Sequence, residues 1–329
     1  MKIAVIGDGG WGTTLGVHLA KKGNEVTIWG PFPEYIALLN QTHVNSKFLP
    51  GIDIPETVIF GADLIQMVSD SEVVIVAVPS HYVRSVVSQL KDIDCTKQLF
   101  ITVSKGIEND TLKRMSEIVS EEVSPLRLAA LSGPSHAEEV ARGIPTSVTI
   151  ASKNEDDARG AQELFNSNTF RVYTNTDIVG VELGGALKNV VAIAAGISDG
   201  LGFGDNAKAA LMTRGIAEMM RLGVALGGQA KTFSGLSGIG DLITTCMSRH
   251  SRNRAFGEMI GKGMSVDEAL NTTEMVVEGY RTTKSVQQIC TSSGVEMPIS
   301  QQVYNVLYEK KKPLKAVEEL MMRNLKAEH

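Results

Sequence analysis

The sequence predicts an α/β domain followed by an all-α domain. Three observations carry that prediction. Short β-branched runs alternate with helical patterns through the first half of the 329 residues. A glycine-rich turn separates the first of these runs from the first helix. From residue 178 onward the pattern is helical, with no convincing strand. Alternating strands and helices imply a doubly wound sheet. The length suits two domains, and the change of pattern puts them at residues 1–178 and 179–329.

Residues 2–6 form a short β-branched run, hence a buried strand. Gly7-Asp8-Gly9-Gly10-Trp11-Gly12 follows, then a helical pattern over 13–22 and a second strand over 25–29. Strand, glycine turn, helix and strand in this order are the context a dinucleotide-binding fingerprint requires. Gly7 makes the tight turn, Gly9 lets the backbone approach the diphosphate, and Gly12 lets the helix pack on the strand. The helix N-terminus receives the phosphate charge. The N-terminal domain is therefore expected to be Rossmann-like. An acid closing the second strand would bond the ribose of NAD, and a nearby Arg would accept the extra phosphate of NADP. The stretch here is Trp29-Gly30-Pro31-Phe32-Pro33-Glu34, which offers neither device, and Glu34 falls past the ribose. The coenzyme can be NAD or NADP, with the missing cation favouring NAD by default.

Further strands are expected at 57–60, 73–78, 98–103 and 126–131, with 147–150 and 170–173 as a closing pair. Pro79 ends the strand at 73–78, and a helix is expected over 80–90. Ligands of such sheets bind beyond the carboxyl ends of the strands. Pro79, Lys105 and residues 133–137 stand there. Lys105 reads either as a site residue or as a loop cation.

Helices are expected in the second half at 178–198, 206–226, 238–247, 252–262, 266–270, 279–292, 299–308 and 314–322. The first of them is almost without charge. Lys188 is the only cation in its middle, among Gly184, Gly185, Ala186, Ala192, Ala194 and Ala195. A helix apolar all round is buried. Its lysine must either snorkel to the surface or hold its ammonium against desolvation beside a partner. Asp241 and Thr245 are four apart and share a helix face. Within Ser251-Arg252-Asn253-Arg254, either arginine could fork onto a phosphate. Residues 201–206 form a glycine loop that reads as a helix stop and the next helix's cap.

Composition narrows the function classes. Hydrophobic residues make up 43% and charged residues 21%, a globular balance. A net charge of −5 points away from nucleic acid and anionic membrane surfaces. Cys95, Cys246 and Cys290 are far apart and odd in number, so reduced thiols are expected. The six histidines are scattered, and no metal-binding or His-based catalytic pattern emerges. A strand at the very start implies no signal peptide. No apolar run reads as long enough for a membrane span, since 190–197 is short and Asp199 closes it.

Together the motifs carry a resemblance. They are GDGGWGTTL at 7, AVPSH at 77, SKGIE at 104, LSGPSHAEEV at 131, VELGGALKNVVAIAAGISDGLGFGDNAKAAL at 181, DLITTC at 241, SRNRAFG at 251 and MVVEGYRTT at 275. In this order and spacing the chain resembles the soluble bacterial NAD(P)-dependent glycerol-3-phosphate dehydrogenases over essentially its whole length. The resemblance implies hydride transfer between NAD(P) and the pair dihydroxyacetone phosphate and sn-glycerol 3-phosphate, supplying glycerophospholipid synthesis. It implies that Lys188 exchanges the proton of the reacting oxygen, with Lys105 and Asp241 setting charge around it. Desolvation in a glycine- and alanine-lined helix would suit Lys188 to that exchange. The resemblance further implies substrate contacts at Lys105, Gly133, Pro134, Ser135, Lys188, Asn189, Asp241, Ser251, Arg252 and Asn253, with Arg252 and Asn253 on the phosphate. Coenzyme contacts would fall at Gly7, Gly9, Gly10, Trp11, Gly12, Lys105, Ala137, Arg252, Val276 and Glu278. A cytoplasmic homodimer without nucleic-acid or membrane partners is implied as well.

Two positions depart from the family pattern. Pro31 stands where many relatives carry Arg or His, which removes a candidate clamp for the NADP phosphate. Gly10 stands where relatives often carry Ser, which leaves only a backbone N–H for the coenzyme. Two other readings share the architecture. A dehydrogenase of another small hydroxy acid or acyl thioester would rely on a catalytic His or a different Lys, and would leave Arg252 and Asn253 without a purpose. A dinucleotide sensor without turnover would lack the constellation of Lys105, Lys188 and Asp241.

Overall fold

The computed structural model describes residues 1–273, 275–325 and 327–328. The masked positions within the expected 179–329 domain, Glu274, Lys326 and His329, lie outside the described residues. The chain forms two compact units, Met1–Lys105 with Lys113–Glu182, and Gly106–Leu112 with Leu183–His329.

The first unit alternates strand and helix. Its order begins β1 (Lys2–Ile6), α1 (Gly10–Lys21), β2 (Glu25–Trp29), α2 (Pro33–Thr42), β3 (Val58–Gly61), α3 (Leu64–Ser69), β4 (Val73–Val76) and α4 (Val83–Val87). It continues β5 (Leu99–Thr102), α5 (Met115–Glu122), β6 (Arg127–Ser132), α6 (Ala137–Ala141), β7 (Thr146–Ala151), α7 (Glu155–Phe165) and β8 (Phe170–Asn175). One sheet holds all eight strands in the order β3-β2-β1-β4-β5-β6-β7-β8. Every pairing is parallel except β6 with β7. Parallel strands are covered by helices on both faces and so read as unbroken apolar runs. In β1, Ile3 and Val5 enter one core while Ala4 and Ile6 enter the other. β4 divides in the same way, with Val73 and Ile75 against Val74 and Val76. The strand order reverses between β1 and β4, which makes the crevice beyond their carboxyl ends the expected ligand site.

The second unit is helical. Helix α8 (Ile178–Gly200) begins in the first unit and continues into the second. After it come α9 (Asp205–Ala225), α10 (Ala230–Phe233), α11 (Asp241–Met247), α12 (Arg252–Gly261) and α13 (Val266–Thr272). The last are α14 (Glu278–Ser293), α15 (Pro298–Tyr308) and α16 (Pro313–Met321). The loop Gly106–Leu112 is tied to α14 by side chains. Asn109 donates to Arg281 O at 3.0 Å and to Ser285 Oγ at 2.7 Å, and Ser285 donates to Ile107 O at 2.9 Å.

Three expectations need correction. Helix α1 starts at Gly10 rather than residue 13, because Gly10 and Gly12 of the turn already lie in its first turn. Residues 238–247 are not one α-helix, since a π turn over Leu236–Gly240 precedes α11. The α8 segment is long and apolar enough to cross a membrane by length and composition, contrary to the reading that no run is. Nearly all of it is buried within the protein, as in the core helix of a globular fold.

The small residues of α8 have a definite task. A Cβ on Gly196 would lie 1.9 Å from Arg254 O, and one on Gly257 of α12 would lie 2.1 Å from Ile193 O. Gly200 and Gly261 repeat the approach one turn further on, where a Cβ on either would meet the other's Cα at 2.8 and 2.9 Å. The two backbones therefore touch, and these glycines serve helix packing. Overpacking costs about 1–3 kcal/mol or more where nothing can yield. Gly196→Ala should lower stability by at least that amount in urea denaturation, whereas Gly160→Ala, on an open face, should not.

Candidate active site

The glycine turn follows β1 and opens α1. Gly7 has φ +130°, a conformation L side chains rarely adopt, and a Cβ there would meet the Ala77 backbone at 2.9 Å. A Cβ on Gly12 would lie 2.0 Å from Gly7 O, so that glycine is required for the helix to close on the strand. Gly9 differs from both, because a Cβ there would meet nothing within 4 Å. The open space at Gly9 suits a ligand that approaches the backbone. Helix α1 has no side-chain cap at Gly9 and no acid in its first turn. An uncapped helix end of this kind favours a phosphate. The residues present thus fit a dinucleotide's diphosphate. Trp11 is half-buried and packs near Phe170, with ring centroids 6.5 Å apart, and its Nε1 has no hydrogen-bond partner among the described residues.

The structure accounts for Gly10. A Cβ there would lie 2.5 Å from the carbonyl of Phe48, so a serine would collide with the loop that crosses the turn. Asn45, fully buried, anchors that loop. It donates to Asp8 O at 2.7 Å and to Thr13 Oγ1 at 2.8 Å, and it accepts from Tyr35 Oη at 2.8 Å and Phe48 N at 3.1 Å. Sequence reading missed Asn45, since a lone Asn carries no local signal.

At the strand ends of the same unit, Lys105 donates from Nζ to Gly133 O at 2.9 Å. Ser135 Oγ donates to the same carbonyl, also at 2.9 Å. Lys105, Gly133 and Ser135 therefore form one cluster, with Pro134 between the last two. Ala137 opens α6, and its carbonyl accepts from Thr14 Oγ1 of α1 at 3.2 Å.

In the helical unit Lys188 does not snorkel. It is 7% exposed, and Nζ donates to Asp241 Oδ1 at 2.8 Å and to Thr245 Oγ1 at 2.6 Å. Thr245 in turn donates to Asp241 O at 2.6 Å. Asp241 is itself 1% exposed, so the pair is buried on both sides. Two influences oppose each other at Lys188: desolvation disfavours the ammonium, and the carboxylate beside it favours it. Neighbouring Cys246 has its thiol pushed up to about 12 by burial, which keeps it a thiol. The π turn aims this cluster. A Cβ on Gly184 would lie 2.4 Å from Ser237 O, so α8 passes directly under the turn that leads into Asp241.

At the next residue of α8 the polar groups hold helices together. Asn253 Nδ2 donates to Asn189 Oδ1 at 2.9 Å, and Asn253 Oδ1 accepts from Gly279 N at 2.8 Å. Ser251 caps α12 by accepting from Arg254 N at 3.2 Å. The structure separates the two candidate arginines. Arg254 is committed to Asp199 at 2.7 Å, Glu258 at 3.1 Å and Ser248 O at 3.1 Å. Arg252 is exposed at the first position of α12 and donates to Val276 O at 3.4 Å. Glu278 opens α14, two residues beyond Val276. Arg254 is therefore taken up by acids of its own unit and does not serve a phosphate. Arg254→Ala should lower the thermal midpoint, at a cost of about 1–2 kcal/mol, while Arg252→Ala should stay within about 0.5 kcal/mol of the parent.

A doubly wound sheet with an open glycine turn, joined in sequence to a helical unit that buries a lysine–aspartate pair, defines a dinucleotide-binding oxidoreductase. Residues 2–158 match the N-terminal domain, and residues 177–318 the C-terminal domain, of the NAD-dependent glycerol-3-phosphate dehydrogenases. The chain belongs to that family. It is 53% identical to the NAD(P)+ glycerol-3-phosphate dehydrogenase of Geobacter sp. (strain M21), over 99% of this chain and 98% of the relative. It is 50% identical to that of Chlorobium phaeobacteroides (strain BS1), over 100% and 99%. The crystal structure of glycerol-3-phosphate dehydrogenase from Coxiella burnetii superposes with a TM-score of 0.94 at 38% identity, covering 98% of both chains.

The buried pair predicts a stability signature. Removing one partner of such a pair costs about 3–5 kcal/mol, because the other charge is left uncompensated. Asp241→Ala should therefore destabilise by about 3 kcal/mol in urea denaturation. Adding Lys188→Met should restore a large part of the loss, which a double-mutant cycle would measure.

Proposed function

We propose that this protein interconverts dihydroxyacetone phosphate and sn-glycerol 3-phosphate with NAD or NADP, and that it supplies glycerol 3-phosphate for glycerophospholipid synthesis. The observation that carries the reading is the buried Lys188–Asp241–Thr245 cluster, in a chain whose other unit presents an open dinucleotide turn. Bound, the nicotinamide supplies the hydride in reduction and takes it in oxidation. The residues of the chain handle the proton and the charge. Lys188 donates a proton from Nζ to the carbonyl oxygen in reduction and takes it back from the hydroxyl in oxidation. Asp241 and Thr245 fix the direction in which Nζ points, and the Asp241 carboxylate holds the proton on Lys188 until the oxygen needs it. Lys105 adds positive charge where the oxyanion character grows.

The phosphate falls to Arg252, whose planar guanidinium matches its oxygens, with Ser251 and Asn253 beside it at the start of α12. Asn189, Gly133 and Ser135 complete the substrate contacts. Gly7, Gly9, Gly10, Trp11, Gly12, Ala137, Val276 and Glu278 serve the coenzyme, together with Lys105 and Arg252. Both expected domains, 1–178 and 179–329, thus contribute to substrate and to coenzyme, with the glycine turn in the first and the Lys188–Asp241 pair in the second. The protein acts as a cytoplasmic homodimer and uses neither nucleic acid nor membrane as partner; its negative net charge of −5 supports the first of these exclusions.

The test is a spectrophotometric assay with dihydroxyacetone phosphate and either reduced coenzyme. Lys188→Ala should lower kcat by about a hundred- to ten-thousand-fold, the range of general acid–base catalysis, with little change in coenzyme affinity. Near-normal turnover would sink the role of Lys188. Arg252→Ala should raise KM for dihydroxyacetone phosphate about tenfold or more, as loss of a charged hydrogen bond implies.

A further inference from the structure

Asp8 occupies the first variable position of the glycine turn. It is 7% exposed, and among the described residues its buried Oδ2 has no hydrogen-bond partner. Its main chain is held firmly, since the Asp8 carbonyl accepts from Asn45 Nδ2 at 2.7 Å and Thr13 Oγ1 at 3.2 Å. The carboxyl lies against Gly30, the residue that follows β2. A Cβ on Gly30 would meet Asp8 Oδ2 at 2.4 Å and Cγ at 2.6 Å. Position 30 is where doubly wound dehydrogenases place the acid that bonds the adenosine ribose. This chain has no side chain there, and the carboxyl of Asp8 fills the space from the neighbouring strand end instead.

We propose that Asp8 takes over the ribose-reading role from β2, and that it selects NAD over NADP. The inference rests on the reading of this protein as a nicotinamide-dependent enzyme. A buried carboxylate oxygen without a donor is costly, and the hydroxyls of a ribose supply donors. A 2′-phosphate would bring negative charge against the same carboxylate. Burial raises the pKa of Asp8, whereas its own backbone N–H and the field of Lys47 lower it. Lys47 is exposed, with Nζ 5.0 Å from the centre of the Phe48 ring. The phenol of Tyr35 is engaged with Asn45. The competing reading makes Asp8 a filler for the hole that Gly30 leaves. A filler predicts no difference between the two coenzymes.

Calorimetric titration of the intact protein with NADH and NADPH, without substrate, separates the two readings. The parent should bind NADH at least about tenfold more tightly, since hydrogen bonds to a charged group are worth about ten- to hundredfold. Asp8→Asn keeps the volume and removes the charge. It should reduce the ratio of NADH to NADPH affinity about tenfold or more. If that variant does not fold, Asp8→Ala decides by the same criterion. A parent that binds NADPH as tightly as NADH would overturn the inference, and so would an unchanged ratio in the deciding variant. A protein that shows the preference but does not oxidise NADH with dihydroxyacetone phosphate would leave this inference standing and remove the proposed reaction.

Discussion

A charged pair buried in an apolar helix constrains much of the helical unit. Lys188 lies in the middle of α8, where the surroundings are too apolar for an unpartnered ammonium. Asp241 must therefore reach it, and Asp241 comes from a different helix, 53 residues along the chain. The π turn before α11 delivers it. That turn can lie on α8 only because Gly184 leaves room for the carbonyl of Ser237. Further along α8, the glycines facing α12 let the two backbones touch. The same contact brings Asn253 to Asn189. The small residues around the lysine are therefore part of what fixes its partners.

The dinucleotide turn shows a comparable economy in the other unit. Gly7 and Gly12 are demanded by the strand–helix closure, while Gly9 faces open space. The loop anchored by Asn45 passes so close that Gly10 cannot carry a side chain. A missing hydroxyl at this position is thus a consequence of packing. The loss is small, because a helix N-terminus binds phosphate mainly through its backbone. The glycine that follows β2 has a related explanation, since the Asp8 carboxyl already occupies its side-chain space.

Much of this was legible in the sequence, for a physical reason. The central strands β1 and β4 announce themselves as β-branched runs because a parallel sheet is buried on both faces. The glycine turn is recognisable because its constraints act within six consecutive residues. Lys188 stands out because a cation in an apolar run is conspicuous wherever the chain goes. Other features leave no local trace. Arg252 and Arg254 look alike in the sequence, yet Arg254 is held by Asp199, 55 residues away, and Arg252 is not. Asn45 is one asparagine among many until its four bonds are drawn. Asp8 looks like a spacer between glycines until Gly30 is placed beside it.

The sequence by itself determined the order of elements, the two kinds of architecture, the phosphate-binding turn and the family. Each of these depends on periodicity or on residues close together in the chain. Tertiary structure decided the partnerships: Lys188 with Asp241, Asn253 with Asn189, Arg254 with Asp199, and the Asp8 carboxyl with the empty position at Gly30. Those pairs join residues from separate elements. Their distances are set by how helices and strands pack, and no local pattern in the chain records that.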